Sequence, residues 1–448
     1  MSQGRSPCVH QGSESDGPTV PFACGKATDP SGVRYQSSKP MPSTPDTQQA
    51  RLISVRCENY QAFRAQVEIH LNPLTLVLGR NNSGKSALVR LLRLILRATK
   101  ESAEGHHIPL NVDGLPFATR FLELIHGRYF SRPLSLGLTL DCGGRPAGFD
   151  CEVIAKDSVG EETWIKKLTV HESSRATDVF ELDLSAAEQP TYLDGKSHSF
   201  SGLLPTGHFQ HLRNAAANLE RSITHLGPVR AAVPVVMEHD AHASLGFNGA
   251  GAPDMLRANR DLAEAVDRWY RENLHGVRII VAPQGESFSL ESTAREDVGR
   301  EPATINLARA GEGVQQLLPV ITQQSRHLLE EGPVFDIVEQ PELHLHDGVH
   351  PALGDLFIRT AQLGRGPVVV ETHSEGLLLR VRRRIAEGVF PPGDLALYFV
   401  DHAVDGAIVK RIYVDERGDL SEWPDGVFLD SYREVLAIQR AARDRRPA

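Results

Sequence analysis

The sequence predicts an α/β fold organised around a largely parallel sheet, and three observations carry that prediction. Nearly continuous apolar runs at residues 334–338, 368–370 and 395–400 read as strands buried on both faces. Helical periodicity separates them, around residues 314–329, 349–362 and 376–386, which is the alternation of a doubly wound sheet. A Gly-rich loop from Gly79 to Ser86 joins an apolar strand directly to a helix.

Chain-wide quantities narrow the function classes. With 448 residues, 40% of them hydrophobic, a formal net charge of -9 and a mean hydropathy of -0.26, the chain can hold two or three domains or one large core with an insertion. Its longest apolar stretch, through Leu91, Leu92, Leu94, Ile95 and Leu96, is broken by arginines and falls far short of the ~20 residues of a membrane helix. The cysteines Cys8, Cys24, Cys57, Cys142 and Cys151 are an odd set without a Cys-x-x-Cys pair, as expected in a reducing cytoplasm rather than in a disulfide framework. No apolar segment follows the first charges, so no secretory signal is read there. The acidic balance disfavours indiscriminate nucleic-acid binding. The charge is uneven, however: residues 51–100 carry nine basic groups against Glu58 and Glu68, a surplus of +7 that leaves -16 on the rest.

The elements follow in order. Residues 1–50, rich in Ser, Pro, Gly, Thr and Gln, lack any apolar period and are expected to be a disordered tail. Residues 51–184 are expected to form an N-terminal lobe. It has strands near Leu52, Val67 and Leu74, a helix with Leu88, Leu91, Leu92 and Ile95 on one stripe, and strands at 134–140, 149–154, 164–170 and 179–182. Residues 185–303 read as a helical insertion or lid, with helices at 208–222 and 256–273 and a joint at 246–253. No heptad run reaches coiled-coil length. Residues 304–401 form the C-terminal lobe, and residues 402–448 a short closing domain with a last helix near 430–442.

The loop Gly79-Arg80-Asn81-Asn82-Ser83-Gly84-Lys85-Ser86 matches Gly-x4-Gly-Lys-[Ser/Thr] in the strand-then-helix context that this pattern needs. Gly79, Asn81, Asn82, Ser83, Gly84, Lys85, Ser86 and Ala87 are the expected nucleotide-binding residues of a P-loop NTPase. Successive backbone N–H groups form an anion nest, the helix N-terminus adds partial positive charge, Lys85 reaches the β- and γ-phosphates, and Ser86 ligates Mg²⁺. An acidic strand end is also needed, and the run ending in Glu339, Gln340, Pro341 and Glu342 supplies it, with Glu339 holding the metal and its water. His344, His346 and His350 follow; lacking a fourth ligand, they read as hydrogen-bonding loop side chains. After the next strand, Thr372 and Glu375 have capping-box spacing, while His373 is compatible with a sensor of the γ-phosphate. Gly311, Glu312 and Gly313 open a helix, either as a plain Gly turn or as an N–H surface for an anion.

In this order the motifs resemble those of the ABC-type P-loop ATPases of the SMC, RecF and overcoming-lysogenization-defect (OLD) group, over most of residues 51–442. Leu52-Ile53-Ser54-Val55 to Glu58-Asn59-Tyr60 with the P-loop looks like their N-terminal lobe, and His225-Leu226-Gly227-Pro228-Val229-Arg230 is similar to a Gly-Pro-x-Arg segment of compact bacterial members. Gly311 to Gln316 falls where the family keeps its signature motif, Glu339 to His346 at its Walker B and D-loop region, and His373 at its switch histidine. Val414-Asp415-Glu416-Arg417-Gly418 with Trp423-Pro424-Asp425-Gly426 looks like a short C-terminal domain of unknown function.

The resemblance implies an ABC-type head with a mixed or parallel sheet and a helical insertion, ATP and Mg²⁺ as ligands, and a homodimer sandwiching two ATP molecules. Gly311, Glu312 and Gly313 would then face the partner's nucleotide, and Glu339, Gln340, Glu342 and His373 would form the catalytic group. One position departs from the family: Gln340 stands where a catalytic Glu is usual, and an amide cannot take a proton from water as a carboxylate does. Glu342 or His373 then orients the water, or turnover is slow. OLD relatives often append a metal-dependent nuclease, but only about 48 residues follow Val400, so DNA cleavage by this chain is not expected. The implied function is a cytoplasmic bacterial ATPase that regulates a separate effector, a nuclease or toxin, in phage defence or DNA maintenance. The alternative is an ATP-gated DNA clamp in repair with little turnover, which the +7 segment favours.

Overall fold

The computed structural model describes residues 50–100, 107–129, 131–156, 160, 162–172, 177–183, 191–192, 197–238, 240, 244–293, 303–423, 437, 438 and 440. Residues 1–49 of the tail expected over residues 1–50, Cys8 and Cys24, residues 424–426 and nearly all of the last helix expected near 430–442 lie outside them.

Three strands open the fold: β1 (Arg51–Glu58), β2 (Val67–His70) and β3 (Leu74–Gly79), the last buried along its whole length. Helix α1 (Lys85–Thr99) follows the Gly-rich loop, and strands β4 (Leu134–Asp141), β5 (Pro146–Ala155), β6 (Thr163–Glu172), β7 (Asp178–Asp183) and β8 (Thr191–Tyr192) come next. These join β1 and β2 in a seven-stranded antiparallel sheet of order β8-β7-β6-β5-β4-β1-β2. Its alternating burial is what a sheet with one covered face requires.

The second sheet positions the chemistry. Its strands are β3, β9 (Ile223–Leu226), β14 (Phe335–Glu339), β15 (Val368–Glu371), β16 (Leu395–Ala403) and β17 (Gly406–Ile412), in the order β9-β14-β15-β3-β16-β17. All pairs are parallel except the closing β16/β17 hairpin. Helices α5 (Glu312–Leu329), α6 (His350–Ala361) and α7 (Glu375–Ala386) cover one face, where Leu76, Val338 and Val370 meet Leu317, Leu353 and Leu377. On the other face Val77, Ile337 and Val369 meet α1 and the antiparallel sheet in one cluster with Leu88, Leu91, Leu136 and Phe149. Helix α1 is buried over most of its surface, with Val89, Leu94 and Leu96 as sealed as the expected stripe, while Ser86, Arg90, Arg93 and Arg97 keep one partly exposed line.

Residues 185–303 contain more than helices. Besides α2 (Gln210–Ser222), they supply the edge strand β9 and a hairpin of β11 (Arg278–Gln284) and β12 (Ser287–Thr293), flanked by β10 (Met237–Glu238) and β13 (Thr304–Asn306). The helix expected at 256–273 is two, α3 (Ala252–Ala258) and α4 (Arg260–Asn273). Asn259 breaks it: its backbone is extended and its side chain accepts from the Leu262 N–H, capping the second helix. The longest described helix, α5, has 18 residues, and among the described residues no helix is long and apolar enough to cross a membrane.

Candidate functional site

The Gly-rich loop leaves β3 at the C-terminal edge of the parallel sheet, where α/β ligands bind. Gly79 has φ 149°, and a Cβ there would lie 2.1 Å from the Val400 carbonyl oxygen, so only glycine lets the loop pass β16. Gly84, at φ 100°, starts α1 against Ala62 and Phe63. No acidic residue occupies the first turn of α1, whose free N–H groups and dipole favour an anion. A cleft of about 580 Å³ opens in front, lined by Gln61, Ala62, Asn81, Asn82, Ser83, Gly84, Lys85, Ser86, Ala87, Arg90, Gln340, Glu371 and His373. Lys85 Nζ donates to the Arg80 carbonyl at 2.6 Å, and burial lowers its pKa against the pull of Glu371 and Glu342.

The structure separates the expected acidic residues. Glu339 is 0% exposed: Arg90 Nε and a terminal Arg90 nitrogen donate to its two oxygens at 2.8 Å each, and His225 Nε2 lies 2.8 Å from Oε1. Burial works to raise Glu339, yet the hydrogen bonds from His225 and Arg90 hold it below the usual carboxylate range. The acid beside Ser86 is Glu371, whose Oε1 accepts from Ser86 Oγ at 3.1 Å. Glu339 lies one strand further from the P-loop, because β15 intervenes between β3 and β14. Burial, and next the neighbouring Glu339, push Glu371 up to about 7.

Gln340 and His373 reach the cleft, while Glu342 does not. Gln340 has φ 45° and donates its backbone N–H to the Glu371 carbonyl at 2.7 Å. Glu342 lies behind: its Oε1 accepts the His373 N–H at 2.6 Å, and burial raises its pKa. It anchors the turn that presents His373, whose imidazole burial and nearby Lys85 push down to about 4. The cap of α7 is Ser374, which accepts from the Leu377 N–H at 3.0 Å, rather than the expected Thr372. His350 Nδ1 lies 2.9 Å from Ser374 Oγ, His346 Nδ1 accepts the Gly348 N–H, and His344 faces Glu312 at 3.5 Å. The three histidines diverge, and among the described residues no group of three or more His, Cys, Asp or Glu could hold a metal.

Gly311, Glu312 and Gly313 stand outside the cleft, at the N-terminus of α5. Gly311 and Glu312 are exposed, and a Cβ on Gly313 would meet the His344 carbonyl at 2.5 Å. Two residues of the Gly-Pro-x-Arg segment join α5 to the acidic strand in ways that spacing alone did not reveal. Besides His225 on Glu339, buried Arg230 donates to the Glu339 carbonyl at 2.8 Å, while Gln316 on α5 pairs with both backbone groups of Arg230 at 3.0 Å. The signal for Glu371 was present, since it ends a buried apolar run as Glu339 does, but the capping pattern drew the reading one residue onward.

Most of the basic groups of residues 51–100 pair with carboxylates of the same chain. Arg56 pairs with Glu68 and Asp150, Arg64 with Asp405, Arg93 with Asp113, and Arg97 and Lys100 with Glu220, besides Arg90 on Glu339 and Arg80 3.9 Å from Asp401.

The donor set fits a magnesium ion beside a nucleotide. Ser86 and Glu371 are hard oxygen donors at the mouth of the anion nest, and Glu371 Oε2 is buried without a hydrogen-bond partner.

Residues 51–189 match the family described as AAA ATPase domain, and residues 390–437 match a protein of unknown function (DUF3696). No curated protein matches the chain. Among solved structures it is similar to the SMC head domain from Thermotoga maritima, at 12% identity and TM-score 0.41 over 81% of this chain and 100% of that one. It is also similar to the Smc head domain with an extended coiled coil bound to the C-terminal domain of ScpA, derived from Pyrococcus furiosus, at 11% identity and TM-score 0.45 over 88% and 100%. Residues 51–189 thus carry an AAA ATPase domain, whose P-loop feeds α1 from the parallel sheet.

Proposed function

We propose that this chain binds ATP with Mg²⁺ in the P-loop cleft, turns it over slowly, and uses it to hold two heads together, so that nucleotide state controls a partner effector. One observation carries the dimer: Gly311 and Glu312, exposed at the start of an 18-residue helix, lie outside the cleft of their own chain. An exposed helix N-terminus of this kind is suited to the γ-phosphate bound by a second copy. In each head Lys85 and the nest of N–H groups bind the phosphates, and His373, neutral at pH 7, faces the same cleft. Mg²⁺, when bound, neutralises charge on the β- and γ-phosphates. Gln340 supports slow turnover, since the position lines the cleft with an amide in place of a base.

Resemblance in motif order supports a bacterial setting in phage defence or DNA maintenance, with a nuclease or toxin as the effector. The alternative DNA clamp has less support, because the arginines that favoured it are paired with carboxylates. Sedimentation with a non-hydrolysable ATP analogue and Mg²⁺ tests the dimer. A Cβ at Gly311 meets nothing within 4 Å, so Gly311→Arg leaves the head intact. Wild type is expected to dimerise with the analogue, and Gly311→Arg to bind it within about 2-fold of wild type yet stay monomeric. A dimer indifferent to Gly311→Arg contradicts the sandwich.

A further inference from the structure

Two glutamates end adjacent strands of the parallel sheet in direct register, Glu339 on β14 opposite Glu371 on β15, with Glu371 in turn opposite Val77 of the P-loop strand. Residues paired across parallel strands project to the same face, so both carboxylates point toward α1. Their surroundings are opposite. Glu339 has both oxygens occupied by Arg90, a further contact to His225, and no place in the cleft wall. Glu371 lines the cleft, holds Ser86 Oγ through one oxygen, and keeps the other buried with no partner, although the residue is only 1% exposed. It is also one strand nearer the P-loop, about 4.8 Å.

A buried carboxylate oxygen without a donor is costly, and a hard divalent cation is the group that best relieves it beside a serine hydroxyl and phosphate oxygens. Building on the nucleotide-site reading, we infer that Glu371 is the protein carboxylate that shares the Mg²⁺ of the bound nucleotide with Ser86, and that Glu339 is a positioning residue. Glu339 fixes Arg90 and His225, and with them the packing of α1 on β9 and β14. The acidic function expected at the end of one strand thus belongs to its neighbour.

The test is the affinity of the full chain for a fluorescent ATP analogue, measured in EDTA and in Mg²⁺, for wild type, Glu371→Gln, Glu371→Asp, Glu339→Gln and Lys85→Ala. Glu371→Gln is expected to keep its EDTA affinity within about 2-fold and to lose about 10- to 100-fold of the Mg²⁺ enhancement, as removal of a metal-site partner does. Glu371→Asp, which keeps the charge, is expected to regain part of it. Glu339→Gln is expected to keep the enhancement while melting at a lower temperature. Mn²⁺ electron paramagnetic resonance supplies a second readout, with the nucleotide-dependent bound signal lost in Glu371→Gln. Full enhancement in Glu371→Gln, or a loss in Glu339→Gln equal to that in Glu371→Gln, overturns the assignment. No ATP binding by wild type, or equal binding by Lys85→Ala, would instead overturn the nucleotide site itself.

Discussion

Glu339 and Glu371 occupy equivalent places on neighbouring strands, and the comparison between them separates what a strand decides from what its surroundings decide. The sheet gives both the same register, the same face and nearly complete burial. Helix α1 makes them different: its N-terminus opens on the cleft beside Glu371, and Arg90, further along, lies over Glu339. Ion pairs sealed in this way have a stake in the fold, while a carboxylate with a free oxygen is available for chemistry. Availability is therefore set by distant parts of the chain, Arg90 and His225, rather than by the acidic residue's own segment.

The largest expected effect breaks the saturated side of this comparison. Arg90→Ala leaves Glu339 buried with His225 alone and is expected to cost about 3–5 kcal/mol in denaturant unfolding. Adding Glu339→Gln to it should recover most of the loss, whereas a single-variant cost below about 1 kcal/mol would mean that the pair is not structural. On the open side, Lys85→Ala is expected to weaken ATP binding about 100-fold or more, some 3 kcal/mol, with little change in unfolding; calorimetric titration measures it. Gly79→Ala forces a Cβ onto the Val400 carbonyl at a φ of 149° and should lower stability by about 1–3 kcal/mol, read by thermal melting. The smallest effect sharpens the switch end of β15: Ser374→Ala removes the cap of α7 and is expected to cost about 1 kcal/mol, read by thermal melting.

The parallel sheet was legible because strands buried on both faces must be written as continuous apolar runs, as at Ile337, Val369 and Phe399. The P-loop was legible because the glycines are required by backbone geometry at fixed spacing. Strand β9 was hidden, since Ile-Thr-His-Leu is short and half polar; Thr224 and His225 are satisfied by Gln323 and Glu339, about a hundred residues away. The hairpin of β11 and β12 carries an alternating pattern around a Gly285-Glu286 turn, but helical signals on either side masked it. Nothing local marks Arg93 or Arg97 as paired, because their carboxylates come from Asp113 and Glu220. A charge surplus within one segment therefore says little about the surface once the chain has folded.

Steady-state ATP turnover of wild type beside Gln340→Glu tests the central claim most directly, that this head is a slow, nucleotide-held switch. The account expects low wild-type turnover and a gain of about 10-fold or more when a carboxylate is restored at the position lining the cleft. Rapid wild-type turnover that Gln340→Glu leaves unchanged or reduces would contradict it.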